Sequence, residues 1–148
     1  MTADRTLVME RRIKAPRAVV WGAWINPVTL PQWWGPDGFT CRTARIDLRS
    51  GGEWLFEMIG PDGTVYPNHH KYSLIEPQSR IEYTLLAGED GPKHADAFVT
   101  MEPVGETTQL RMWMIMESVA HYTNAKAFGA EALGLQTLGK LARFVGAD

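Results

Sequence analysis

Apolar and polar positions change their period twice along this chain. The opening run TLVMERRI mixes β-branched and apolar residues with charges over a strand's length, and KAP then interrupts it. Pro16 suits the first position of a helix, and Val19, Val20, Ala23 and Trp24 recur at helical spacing until Asn26-Pro27 stops the run. VTLPQWW predicts a second short helix over 28–34, because Pro31 is tolerated in a first turn and Gly35-Pro36 must close it. From 39 to 117 the punctuation SGG, GPDG, NHH, EPQS, GEDGPK and PVGET separates short alternating runs. Strands are predicted near 39–48, 53–59, 69–75, 80–87, 95–102 and 107–116, in sequential antiparallel order. The last segment, 121–145, has no proline, and Ala125, Phe128, Ala132, Leu135, Leu138 and Ala142 step by three or four, which predicts one long amphipathic helix.

These elements imply an α+β architecture. A curved antiparallel sheet of about seven strands, with two short helices after strand one, closes on the long C-terminal helix. Alternation then assigns faces. Trp54, Phe56 and Met58 share the inner face, opposite Glu53, Leu55 and Glu57, and Leu110, Met112, Met114 and Met116 oppose Gln109, Arg111 and Trp113. Ile81, Tyr83 and Leu85 fall together, as do Ala97, Val99 and Met101, and Tyr72 joins them. Five methionines, Met58, Met101, Met112, Met114 and Met116, therefore converge inside, where they form either packed core or a surface tolerant of varied ligands. Gly129, Gly134 and Gly139 recur every five residues in the helical segment. Each costs roughly 1 kcal/mol against alanine, so they imply close backbone approach or empty space. Leu55, Ile59, Phe98 and Trp113 fall on the outer face, which points to a homodimer contact or docking surface, unless a bulge shifts one strand's phase.

The 148 residues suit one domain spanning 1–148, and a net charge of −2 gives no basic surface for nucleic acid. The longest apolar stretches, such as VVWGAWI, are too short for membrane insertion, and the N-terminus lacks a secretory signal's apolar segment. With Cys41 as the single cysteine, a reducing cytoplasm is expected.

Motifs for hydrolytic, metal or phosphate chemistry are missing, so no catalytic residue, metal or cofactor is assigned. Cys41 reads as a small buried residue rather than a nucleophile. The adjacent His69 and His70 point to opposite faces of a strand and cannot share one ion. His70, in phase with Tyr72, is the one expected to enter the interior as a neutral-pH proton donor or acceptor, against a loop-edge or surface role. Arg11 shares a face with Ile13 and needs an ion pair, and Asp47 with Arg49 reads as a turn brace before SGG.

Five fragments in this order, APRAVVWGAWINPVTLPQWWGPDGF, DLRSGGEW, MIGPDG, KYSLIEPQSRIEYT and LQTLGKLARFV, cover nearly the whole chain. Together they resemble the START-related, polyketide-cyclase-like (SRPBCC, birch-pollen-allergen-like) superfamily with its helix-grip fold. The subfamily is similar to the C-terminal domain of the heat-shock protein 90 ATPase activator. HHK before Tyr72 departs from the glycine common there. The resemblance implies a pocket between sheet and helix, and hence binding of an apolar or aromatic small molecule. The expected lining is Trp24, Trp33, Trp34, Trp54, Phe56, Met58, His70, Tyr72, Tyr83, Met101, Met112, Met114, Phe128 and Leu135. Of Trp33 and Trp34, one is expected to face the cavity from a helix across its mouth, and the other to pack near Trp24. Two alternatives accompany this reading: a co-chaperone-like contact with a heat-shock ATPase, and a cyclase or hydrolase using His70, Tyr72 or Tyr83 as proton carrier. The length leaves no room for the activator's additional N-terminal domain, which ranks the chaperone reading second.

Overall fold

The alternating runs form seven strands of one antiparallel sheet. In the computed structural model, which describes residues 2–146, a short 3-10 turn at Ala3–Arg5 leads into β1 (Thr6–Ile13), α1 (Arg17–Ile25) and α2 (Leu30–Trp33). The meander follows as β2 (Thr40–Asp47), β3 (Glu53–Ile59), β4 (Val65–Glu76), β5 (Arg80–Leu86), β6 (Lys93–Val104) and β7 (Thr107–Met116). The chain ends in α3 (Val119–Phe128) and α4 (Ala130–Phe144). The strand order is β1-β7-β6-β5-β4-β3-β2, so α1 and α2 carry the chain from one edge of the sheet to the other. This is the helix-grip arrangement.

β4 is longer than its predicted 69–75, because NHH continues the strand instead of turning it. Pro67 is tolerated inside it because β5 pairs with β4 only from His69 onward, leaving residues 65–68 bonded to β3 alone. The register shifts at Thr43/Arg45, Tyr72/Leu74 and Leu85/Leu86 are sites where bulges locally bend and twist the strands.

The single long helix predicted over 121–145 is two helices. Gly129 adopts a left-handed conformation (φ 84°) and caps α3, its N–H reaching back to the Ala125 and Lys126 carbonyls. The apolar stripe counted across this break therefore slips: Leu135 is 46% exposed, while Leu138, Leu141 and Ala142 are fully buried. The three glycines have three different roles. Gly129 makes the break. Gly134 brings α4 onto β1, where a Cβ would stand 3.0 Å from Met9 Cγ. A Cβ at Gly139 would make only ordinary contacts with Arg143 and Arg11. Nothing crowds the Cβ position at Gly129, so Gly129→Ala carries a purely conformational cost of about 1 kcal/mol. A melting temperature a few degrees lower is expected, and an unchanged or higher one would mean the two helices can run as one.

Candidate ligand-binding cavity

A cavity of about 480 Å³ lies between the inner sheet face and α4. The sheet contributes Met58, His70, Tyr83, Leu85, Met112, Met114 and Met116, and Met9 enters from β1. The Trp34–Phe39 segment forms a second wall, Tyr66, Pro67 and Asn68 a third, and Ala130, Leu133, Gly134 and Thr137 of α4 the roof. Phe128, 68% exposed, stands where the cavity meets solvent, with His94 also on its lining.

The inner face is not all cavity. Trp34, Met58, His70, Tyr83, Met112, Met114 and Phe128 line it, but Trp24, Trp33, Trp54, Phe56, Tyr72 and Met101 are buried outside its lining. Met101 pairs with Leu110, two residue pairs from the Pro103–Thr108 pair. There the Thr108 hydroxyl donates to the Ala15 carbonyl at 2.8 Å, and α1 then packs on β6 and β7 and fills that end. Trp54 stacks on Phe56 at 3.6 Å and donates its indole N–H to Thr43 Oγ1 at 3.0 Å, so both rings are consumed by packing. Leu135 faces outward for the reason given by the helix break.

The tryptophan pair separates cleanly. Trp33 ends α2, is 1% exposed and donates its indole N–H to the Ala23 carbonyl at 3.0 Å, edge-on to Trp24 at 4.9 Å. Trp34 is already extended (φ −65°, ψ 142°), so its side chain leaves in another direction. It is the one that borders the cavity, touching Trp24, Trp54 and His70 edge-on. The loop after it is clamped to α4. Lys140 Nζ donates to the Phe39 and Pro36 carbonyls at 3.1 and 3.3 Å, Arg143 pairs with Asp37 at 3.1 Å, and Gln136 Oε1 accepts from the Asp37 N–H.

His70 sits in an aromatic cage. It stacks on Tyr83 at 4.2 Å and meets Trp34, Trp54, Phe56 and Tyr72 edge-on. Burial, then the neighbouring His69, pushes its pKa down to about 3. The imidazole is therefore neutral near pH 7 and does not titrate there, contrary to its expected role as a neutral-pH proton carrier. Burial raises the phenols of Tyr72 and Tyr83 above their ordinary value, so they too stay neutral.

His69, on the opposite face, is not a surface residue: it is 1% exposed. Its Nδ1 accepts the Asp90 N–H at 3.1 Å, so the proton sits on Nε2, which donates to Glu53 at 2.7 Å. This pins the β5–β6 turn to β3. Cys41 is half-buried, its thiol pushed up to about 12 by burial and directed at the Trp34 carbonyl at 3.5 Å. Asp47 braces Arg49 at 2.8 Å, and Arg11 lies half-buried beside Gly139. Among the described residues no group of three or more His, Cys, Asp or Glu could hold a metal ion, and no helix is long and apolar enough to cross a membrane. Leu55, Ile59, Phe98 and Trp113 do lie on the outer face, half-buried: Arg80 covers the Phe98 ring at 5.0 Å, and Trp113 sits in register between Val8 and Phe98.

Sequence reasoning missed Met9, Phe39, Tyr66, Asn68, His94, Leu133 and Thr137 as lining residues. Met9 was legible, being in phase with Leu7 and Ile13 on strand one. Tyr66 and Asn68 were hidden by taking NHH as a turn, and Leu133 and Thr137 by carrying one helical phase across Gly129.

The family profile described as "Activator of Hsp90 ATPase homolog 1-like protein" matches residues 14–146. No curated protein matches the chain significantly. Similar solved structures include a Nitrosomonas europaea protein at TM-score 0.87 and 21% identity, covering 99% of this chain and 97% of that one. A Chromobacterium violaceum protein has TM-score 0.80 and 26% identity, over 97% of this chain and 99% of its own. The AHSA1-like protein from Aeromonas hydrophila has TM-score 0.71 and 19% identity, over 96% and 92% respectively. These likenesses show the shared fold. The extent of the profile match shows more: the chain belongs to the Activator of Hsp90 ATPase homolog 1-like family.

Proposed function

We propose that this protein binds a mostly apolar small molecule in the cavity between the sheet and α4. The cavity carries the reading, because protein interiors are normally close-packed and a 480 Å³ space walled by methionine and aromatic side chains is within the size range of ligand sites. Methionines on three strands of its wall suit an occupant whose shape is not tightly specified. The neutral, non-titrating state of His70, Tyr72 and Tyr83 near pH 7 favours binding over acid–base turnover.

Native mass spectrometry of protein taken directly from cells is expected to show an added small-molecule mass. Leu133 lines the cavity from α4 and is only half-buried, so Leu133→Trp should fill the space at little cost to the fold. The variant is expected to lose the added mass with an unchanged circular dichroism spectrum. A wild-type protein that carries no added mass and takes up no apolar probe would end this reading. The family description supports a second one, contact with a heat-shock ATPase. Its test is whether the purified protein alters that ATPase's turnover, and an unaltered rate removes it.

A further inference from the structure

The cavity's chemistry narrows its occupant, and this step rests on the ligand-binding reading above. Among the described residues that line it there is no Asp, Glu, Lys or Arg. Of the two cations on the roof helix, Lys140 is engaged by the Pro36 and Phe39 carbonyls and Arg143 by Asp37. An anionic head group drawn inside would lose its hydration and meet no counter-charge. His70 cannot easily supply one, since its burial holds it neutral. Five thioethers line the space, those of Met9, Met58, Met112, Met114 and Met116, and sulfur packs favourably against aromatic ring edges.

Two buried polar groups of this surface, the His70 imidazole and the Tyr83 phenol stacked on it at 4.2 Å, are near enough to bind one ligand group together. His70 is 2% exposed, its ring borders the cavity, and no hydrogen bond to it is found among the described residues. A buried imidazole with one N–H and one lone pair normally finds a partner. Its other neighbours are aromatic rings, which leaves the cavity side as the direction from which a partner can come.

We propose that the cavity selects uncharged aromatic molecules bearing a hydroxyl or carbonyl group that hydrogen-bonds to His70, and rejects the corresponding carboxylates. The selectivity comes from what the wall lacks as much as from what it offers: a neutral phenol replaces its water contact with the imidazole, whereas a carboxylate finds only a few neutral donors and no counter-charge in place of its full hydration.

The experiment compares 2-naphthol, naphthalene and 2-naphthoate as probes of the full chain at pH 7.5, by calorimetry or by competition against a fluorescent apolar dye. 2-Naphthoate is expected to bind at least about 100-fold more weakly than 2-naphthol. His70→Phe is expected to weaken 2-naphthol by about tenfold and to leave naphthalene within about twofold. Naphthoate binding as well as naphthol, or naphthol binding that ignores His70→Phe, overturns the inference. If His70→Phe does not fold, the wild-type ranking of the three probes decides alone. Naphthalene binding with naphthoate equal to naphthol defeats only the selectivity, whereas failure of all three defeats the cavity reading itself.

Discussion

Replacing Trp33 by alanine is expected to destabilise the protein by about 3–5 kcal/mol, the usual range for deleting a fully buried large aromatic. The ring is 1% exposed and locked edge-on against Trp24 at 4.9 Å and Trp34 at 5.6 Å. Its removal also takes from the Ala23 carbonyl the indole N–H it receives at 3.0 Å, while the Thr29 hydroxyl still donates to that carbonyl at 3.0 Å. For a chain of this size the loss corresponds to a melting temperature lower by on the order of 10 °C. Trp34→Ala should cost less, because one side of that ring already faces open cavity and has fewer contacts to lose. Its larger effect should fall on ligand uptake, through an enlarged cavity and a lost wall beside His70. Chemical denaturation of both variants, with the native mass measurement alongside, separates the two roles. A Trp33→Ala cost below about 1 kcal/mol would mean that this ring is not the core residue its burial implies.

Stability should also fall as pH drops from 6.5 toward 3, through His70. Its pKa is about 3 in the folded protein against an ordinary 6.5, so between these values the unfolded chain binds a proton that the folded one does not. The contribution is therefore fully present above pH 6.5 and is lost on acidification. At pH 5 the loss is about 2 kcal/mol, from 1.36 kcal/mol per pH step over roughly one and a half steps. Burial is the larger cause of the lowered value and the neighbouring His69 the smaller one. His94, whose pKa is also lowered by burial and by His121, adds a smaller slope of the same sign. Glu10, Glu53, Asp62 and Asp90 are held below their ordinary values by their partners and act mainly at lower pH. Urea midpoints at pH 7 and pH 5 test this, with His94→Gln as the background. His70→Phe should flatten the dependence, and an equal pH 5 loss in that variant would remove His70 as its source.

Much of the sheet was legible because strand alternation is a local property. Trp54, Met58, Met112 and Tyr83 point inward for no reason beyond period two and the need to bury one face, and the strand order followed from short turns. The helical end was less legible for an equally physical reason. Periodicity counts residues along an unbroken axis, and a single left-handed residue, Gly129, restarts the axis without disturbing the apolar spacing that a reader counts. Phe128 thus borders the cavity from an exposed position, and Leu135 does not reach it.

The sequence by itself determined the class of fold, the inner faces of β3, β5, β6 and β7, and that one tryptophan of the adjacent pair was surplus to a simple core. Tertiary structure alone decided that Trp34 is the cavity wall and Trp33 the core residue, that His69 is buried in a polar clamp, and where the inner face stops being packed. The reason is that a cavity is a place where distant elements fail to meet. Its limits are set by α1 closing on β6 and β7, by Gly134 drawing α4 onto Met9, and by Lys140 holding the Trp34–Phe39 segment, contacts between residues far apart in the chain that no local pattern encodes.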